Sequence, residues 1–130
     1  MSVGLVVDTS VWIDFFGGKT VPLLEDALAI GTVVLPPVVV AELVSGARRP
    51  SDHDALVDLL ADLEIHETPR EHWVRVGQLR RRLIEKGHAI STPDAHVAQC
   101  ALDRNAPLLT ADRAFVRIAR HVPLRLVDDT

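Results

Sequence analysis

Four short apolar runs set the terms on which this chain can fold: Val3 to Val7, Thr32 to Leu35, Ala106 to Leu109 and Leu124 to Val127. They lack the apolar–polar alternation of a sheet with one wet face, so strands built from them are buried on both faces. Segments with helical spacing lie between them. Helices covering both sides of a short central parallel sheet satisfy that burial, and the predicted class is α/β, a three-layer α/β/α sandwich. At 130 residues the chain has length for one domain, residues 1–130.

The helix signals are local. Asp8-Thr9-Ser10 ends the first strand and opens a short helix from Val11 to Phe16, stopped by Gly17-Gly18. Leu24, Ala27 and Leu28 give Val21 to Ile30 helical spacing. Pro36-Pro37 starts a helix running to Val44, and Ser51 is read as the N-cap of one carrying Leu56, Leu59, Leu60 and Leu63 on a single face. Thr68-Pro69-Arg70-Glu71 combines capping-box spacing with proline at the first helical position, which predicts a helix from Pro69 to Gly87 turning Trp73, Val76, Leu79 and Leu83 inward. Thr92-Pro93-Asp94 repeats the cap-then-proline signal before Val97, Ala98, Ala101 and Leu102, and Asp112 begins a last helix with Phe115, Ile118 and Ala119. Glu64 to His66 is too short to assign.

Several function classes drop out. The apolar stretches are broken by proline and fall short of the roughly 20 residues of a membrane span, and Met1 to Asp8 carries no secretory signal pattern, so the expectation is a cytoplasmic protein with no membrane partner. The single Cys100 allows no internal disulfide and no cysteine-rich zinc site. The six histidines show no pair at the spacing of H-E-x-x-H, which leaves them as core or surface residues, and no glycine-rich phosphate loop is present. A formal charge of −4 gives no general nucleic-acid surface. Twelve of the 14 basic residues are arginine, however, clustered at Arg48-Arg49, at Arg80-Arg81-Arg82 and at Arg113, Arg117 and Arg120. Each cluster is either a local basic patch or a solvated helix face.

Three acids, Asp8, Asp94 and Asp112, stand where chemistry is expected in such a fold, beyond the carboxyl ends of parallel strands or at helix starts, and a fourth, Glu42, lies inside a helix. Asp8 and Asp112 each have the alternative reading of an N-cap, and Asp94 that of a first-turn acid favoured by the helix dipole. Glu42 sits between Val38-Val39-Val40-Ala41 and Leu43-Val44, in a helix apolar nearly all round, and is therefore expected to be buried. A buried lone carboxylate needs a cation, and no lysine or arginine lies one turn away. Converging carboxylates repel unless they share a divalent ion, and hard oxygen ligands select Mg²⁺ or Mn²⁺. Thr9, Ser10 and Thr110 are placed to orient a carboxylate or an ion-bound water, with turn and capping hydroxyls as the alternative.

Val6-Val7-Asp8-Thr9-Ser10-Val11-Trp12-Ile13-Asp14, Val40-Ala41-Glu42-Leu43-Val44-Ser45-Gly46, Thr92-Pro93-Asp94-Ala95-His96-Val97-Ala98 and Leu108-Leu109-Thr110-Ala111-Asp112-Arg113-Ala114-Phe115 resemble, in order, the four acidic motifs of PIN-domain ribonucleases, in particular VapC toxins of toxin–antitoxin pairs. His96-Val97 departs from the pattern, which more often has apolar residues there. The resemblance implies that Asp8, Glu42, Asp94 and Asp112 hold Mg²⁺ or Mn²⁺ with Thr9 and Thr110 nearby, that the substrate is RNA, and that the partners are a cognate antitoxin and a second copy in a homodimer. Hydrolysis by activated water leaves a 5′-phosphate and a 3′-hydroxyl. Arg80, Arg81 and Arg82 are candidate RNA contacts. The competing readings are a non-catalytic module of the same fold and an aspartyl-phosphate receiver or phosphatase. Position 10 is Ser10 rather than the second aspartate of the phosphatase pattern, and no lysine follows a late strand.

Overall fold

A computed structural model describes residues 4–127. The elements run β1 (Leu5–Val7), α1 (Thr9–Phe16), α2 (Pro22–Ile30), β2 (Val33–Leu35), α3 (Pro37–Gly46), α4 (Pro50–Ala61), β3 (Glu64–Ile65), α5 (Arg70–Glu85), α6 (Thr92–Arg104), β4 (Leu108–Leu109), α7 (Ala114–Ala119) and β5 (Leu126–Val127). The five strands form one sheet in the order β3-β2-β1-β4-β5, every pairing parallel. Val6, Val7, Val33, Val34, Leu35, Leu108 and Leu109 are buried, as expected of strands covered on both faces. No helix among the described residues is long and apolar enough to cross a membrane.

The sheet order puts β1 at the centre, where it pairs with β2 and β4. Its entry is tight: Gly4 has φ +85°, and a Cβ there would lie 2.6 Å from Val34 Cγ2 and 2.9 Å from Thr32 O. The order also reverses around β1, placing a switch point beyond the ends of β1 and β4, where open α/β sheets bind ligands. Trp12, Leu24, Leu83, Phe115 and Ile118 fill the two helical layers, and α6, buried without a break from Ala95 to Ala101, packs against α5, α3, α7 and β1.

Several local expectations are corrected. Val3, expected in the first strand, lies outside the described residues. Glu64–Ile65, left unassigned from sequence, is a two-residue edge strand paired with β2. α4 is entered through Arg49 with Pro50 at its first position, so Ser51 is not the cap. Likewise Ser91 caps α6, accepting the Asp94 N–H at 3.2 Å, and Thr92 is already helical. Pro69 is the N-cap of α5 and no side chain closes a capping box there. Trp73 is 44% exposed, and the inward position is taken by His72, in register with Val76, Leu79 and Leu83. His72 stands at i, i+4, i+7, i+11 with these residues and Trp73 at i, i+3, i+6, i+10, and the histidine takes the inward place, where its ring nitrogens find partners in His96 and Asp103.

Candidate metal centre at the carboxyl edge of the sheet

Asp8 ends β1 and occupies the N-cap position of α1, yet its carboxylate makes no capping bond. Oδ2 accepts instead from Ser10 Oγ at 2.8 Å and from Thr110 Oγ1 at 3.0 Å, and the residue is 6% exposed. Thr110, just past β4 and 102 residues from Asp8, also accepts the Asp112 N–H at 3.0 Å, so one hydroxyl links two of the acids. Ser10 Oγ accepts the Ala111 N–H at 3.1 Å, locking the start of α1 to the loop after β4.

Asp112 is exposed, and its Oδ1 accepts the Ala114 N–H at 2.9 Å, so one of its two oxygens does serve the start of α7. Glu42 is exposed as well, contrary to the burial expected of it: α3 turns Val39 and Leu43 inward and leaves Ala41 and Glu42 outside. Its Oε1 accepts from Thr9 Oγ1 at 2.8 Å, drawing it over α1. The apolar sequence around it covers neighbouring helices rather than enclosing the acid.

Asp94, in the first turn of α6, is half-buried, and its carboxyl lies above the usual carboxylate range. Burial is the main cause; a hydrogen bond with Ser91 opposes it, and the negative charges of Asp112, Asp8 and Glu42 push in the same direction as burial. Acids from the β1–α1 junction, α3 and the β4–α7 loop thus all bear on Asp94 in α6. They are not drawn into a closed cage: among the described residues, the group whose ligating atoms all lie within 4.8 Å of one another is His66, His72 and Cys100. Open spacing limits mutual repulsion and suits Mg²⁺, which keeps several waters when carboxylates bind it. Four hard oxygen donors, one of them buried and oriented by two hydroxyls, fit such an ion.

The arginines separate by position. Arg80 Nε donates to Ile90 O at 2.9 Å and holds the loop that leads into α6, while Arg81 pairs with exposed Glu85 at 3.2 Å and Arg82 is exposed. Consecutive helical residues point about 100° apart, so the three do not make one patch. Arg117 is one of the clustered arginines. It lines a cleft together with Ser91 and Asp94, a position that only the packing of α7 against α6 reveals.

A second, larger hollow of about 760 Å³ runs from Glu42 between α1, α3 and α4, lined by Ile13, Phe16, Leu43, Leu56 and Leu59 among others.

A model of the PIN domain matches residues 5–121. The chain belongs to the PIN-domain family. This PIN domain is 30% identical over 99 residues to ribonuclease VapC21 of Mycobacterium tuberculosis, covering 74% of the chain and 72% of that protein. It superposes on VapBC2 from Rickettsia felis, a structure bound to a DNA fragment from their promoter, with a TM-score of 0.78 and 26% identity over 95% of this chain and 97% of that one. VapBC-5 from Mycobacterium tuberculosis, at 24% identity and a TM-score of 0.73 over 97% and 98% of the two chains, shares the fold. The expected α/β/α architecture and the family resemblance carried by the four motifs both hold.

Proposed function

We propose that this PIN-domain protein is an endoribonuclease and the toxin of a toxin–antitoxin pair, with Asp8, Glu42, Asp94 and Asp112 as the ligands of its divalent ion, Mg²⁺ or Mn²⁺. The observation that supports the site is that Asp8 and Asp112 share the Thr110 hydroxyl while the charges of Asp8, Glu42 and Asp112, from three other parts of the chain, all bear on Asp94. The activity rests on kinship with proteins named ribonuclease VapC. When bound, the ion supplies Lewis acidity toward the scissile phosphate and an activated water. Asp8, held by Ser10 and Thr110, is the fixed member of the set. Glu42 and Asp112, both exposed, would complete the ligand set, and Thr9 orients Glu42. Arg117 and the Arg80–Arg82 segment are proposed to hold backbone phosphates, reconciling RNA binding with an acidic chain.

The hollow between α1, α3 and α4 is proposed to receive the antitoxin, because it combines exposed Ile13 and Phe16 with Leu56 and ends at Glu42, where an occupant blocks the acids. A homodimer belongs to the same reading, supported by exposed Trp73, Val74 and Ile84 along α5. Sequencing the ends of RNAs cut during brief expression tests the activity. Cuts at a recurring site with 5′-phosphate ends are expected, absent with Asp8→Asn. The same cuts from Asp8→Asn cells would overturn the assignment.

A further inference from the structure

Three histidines and the single cysteine, none used by the nuclease reading, meet where α5, α6 and the β3 edge of the sheet come together. One ring nitrogen each of His66 and His72 and the Cys100 sulfur all lie within 4.8 Å of one another, and all three residues are buried. His66 follows β3, its N–H bonded to Leu35 O at 2.9 Å; His72 is on α5 and Cys100 on α6. Atoms bound tetrahedrally to zinc stand about 3.3–3.8 Å apart, so modest side-chain rotation brings the three to coordination distance.

Part of the cluster is a satisfied hydrogen-bond chain, and that chain orients the rest. His96 Nε2 faces the Val38 N–H at 3.5 Å and so acts as acceptor, which puts the His96 proton on Nδ1. His96 Nδ1 then donates to His72 Nε2 at 2.8 Å, and His72 Nδ1 donates to Asp103 Oδ2 at 2.9 Å. A carboxylate on one ring nitrogen with the other lone pair facing inward is how metal-binding histidines are held. His66 stands outside the chain: its Nδ1 is buried with no hydrogen-bond partner, and the residue is only 8% exposed. The Cys100 sulfur has only long contacts, 3.8 and 4.0 Å, to the His96 ring nitrogens.

We propose that His66, His72 and Cys100 form a three-ligand binding site for a borderline-soft divalent cation, zinc, with its fourth position left to water, separate from the carboxylate centre. Imidazole and thiolate favour zinc where carboxylates favour Mg²⁺ or Mn²⁺, so the two sites sort ions by ligand chemistry. Binding releases the Cys100 thiol proton to solvent, breaks the His96-to-His72 hydrogen bond and changes no oxidation state. The Cys100 thiolate and the Asp103 carboxylate offset the two positive charges of the ion. Arg75, bound to Asp103 at 2.8 and 2.9 Å, remains on its outer side. Trp73 stacks on His96 with centroids 4.6 Å apart and planes 5° from parallel, roofing the site. The ion ties the β3–α5 connection to α6, the helix whose first turn carries Asp94.

Cobalt(II) is the probe, added to the metal-stripped full chain. One equivalent is expected to give thiolate-to-cobalt charge-transfer absorption with tetrahedral ligand-field bands, both bleached by one equivalent of Zn²⁺. Carboxylate ligation produces no sulfur band, so Asp8→Asn retains the signal, whereas Cys100→Ser abolishes it and His66→Gln weakens cobalt binding at least tenfold. A wild-type protein with no sulfur band at tenfold excess of cobalt would overturn the proposal, and that measurement needs no variant to fold.

Discussion

Asp8 and Glu42, proposed as ligands of one ion, are held by different means. Asp8 is buried and takes two hydroxyl hydrogen bonds, so its carboxylate is oriented before any ion arrives; Glu42 is exposed and steered by Thr9 alone. Asp8→Asn, Glu42→Gln, Asp94→Asn and Asp112→Asn are each expected to keep the fold, by circular dichroism, while removing most metal-dependent cleavage of a fixed RNA. Full activity in the Asp8 or Asp94 variant would sink the ligand assignment. Thr110→Val is expected to lower activity by about 10- to 100-fold, as loss of a ligand-orienting partner does. Asp8, Asp94 and Asp112 were legible as candidates, because strand ends and cap-then-proline signals are local. The environment of Glu42 was not. The apolar residues around it read as burial, yet what they cover is set by α1 and α4, which the local sequence does not contain.

At the scale of elements, α5 shows the same limit. Its amphipathic stripe was legible, but the inward residue at its start is His72 rather than Trp73, since the partners that decide the matter, His96 and Asp103, lie 24 and 31 residues away. That choice carries a pH dependence. Burial, followed by the charges of His72 and His66, lowers the His96 pKa from 6.5 to about 4, and His66 shifts in the same direction. Between those values the unfolded chain binds more protons than the folded one, so stability falls as pH falls from 6.5 toward 4; His96 alone accounts for up to about 3 kcal/mol. Asp94, its carboxyl raised, acts in the opposite sense. In EDTA, wild-type melting temperature should drop between pH 7 and pH 4.5, and His96→Gln should drop less. Equal drops would remove His96 from the account. The arginines of α5 are tested by salt: Arg80, Arg81 and Arg82 replaced together by Gln should weaken RNA affinity and flatten its salt dependence. If both stay unchanged, that segment is a solvated face and Arg117 takes over the role.

For the molecule as a whole, the proposed carboxylate centre draws on distant parts of the chain, since the β1–α1 junction, α3, α6 and the β4–α7 loop each contribute one acid. Without a cation these charges oppose the packing that brings them together. A ligand bound only by the folded state stabilises it by about 2.7 kcal/mol at 100 times its dissociation constant, so the melting temperature should rise with Mn²⁺ or Mg²⁺, in one transition if residues 1–130 form a single domain. Glu42→Gln separates the two contributions. The amide keeps an oxygen to accept from Thr9 and removes one repelling charge at almost unchanged volume, so in EDTA the variant should melt at or above wild type while responding much less to a Mn²⁺ titration. Both proteins lose any zinc to EDTA, and the comparison between them is unaffected by it. A Glu42→Gln protein clearly less stable than wild type in EDTA would mean that the charge of Glu42 supports the fold through a cationic partner, and the repulsion argument would fail.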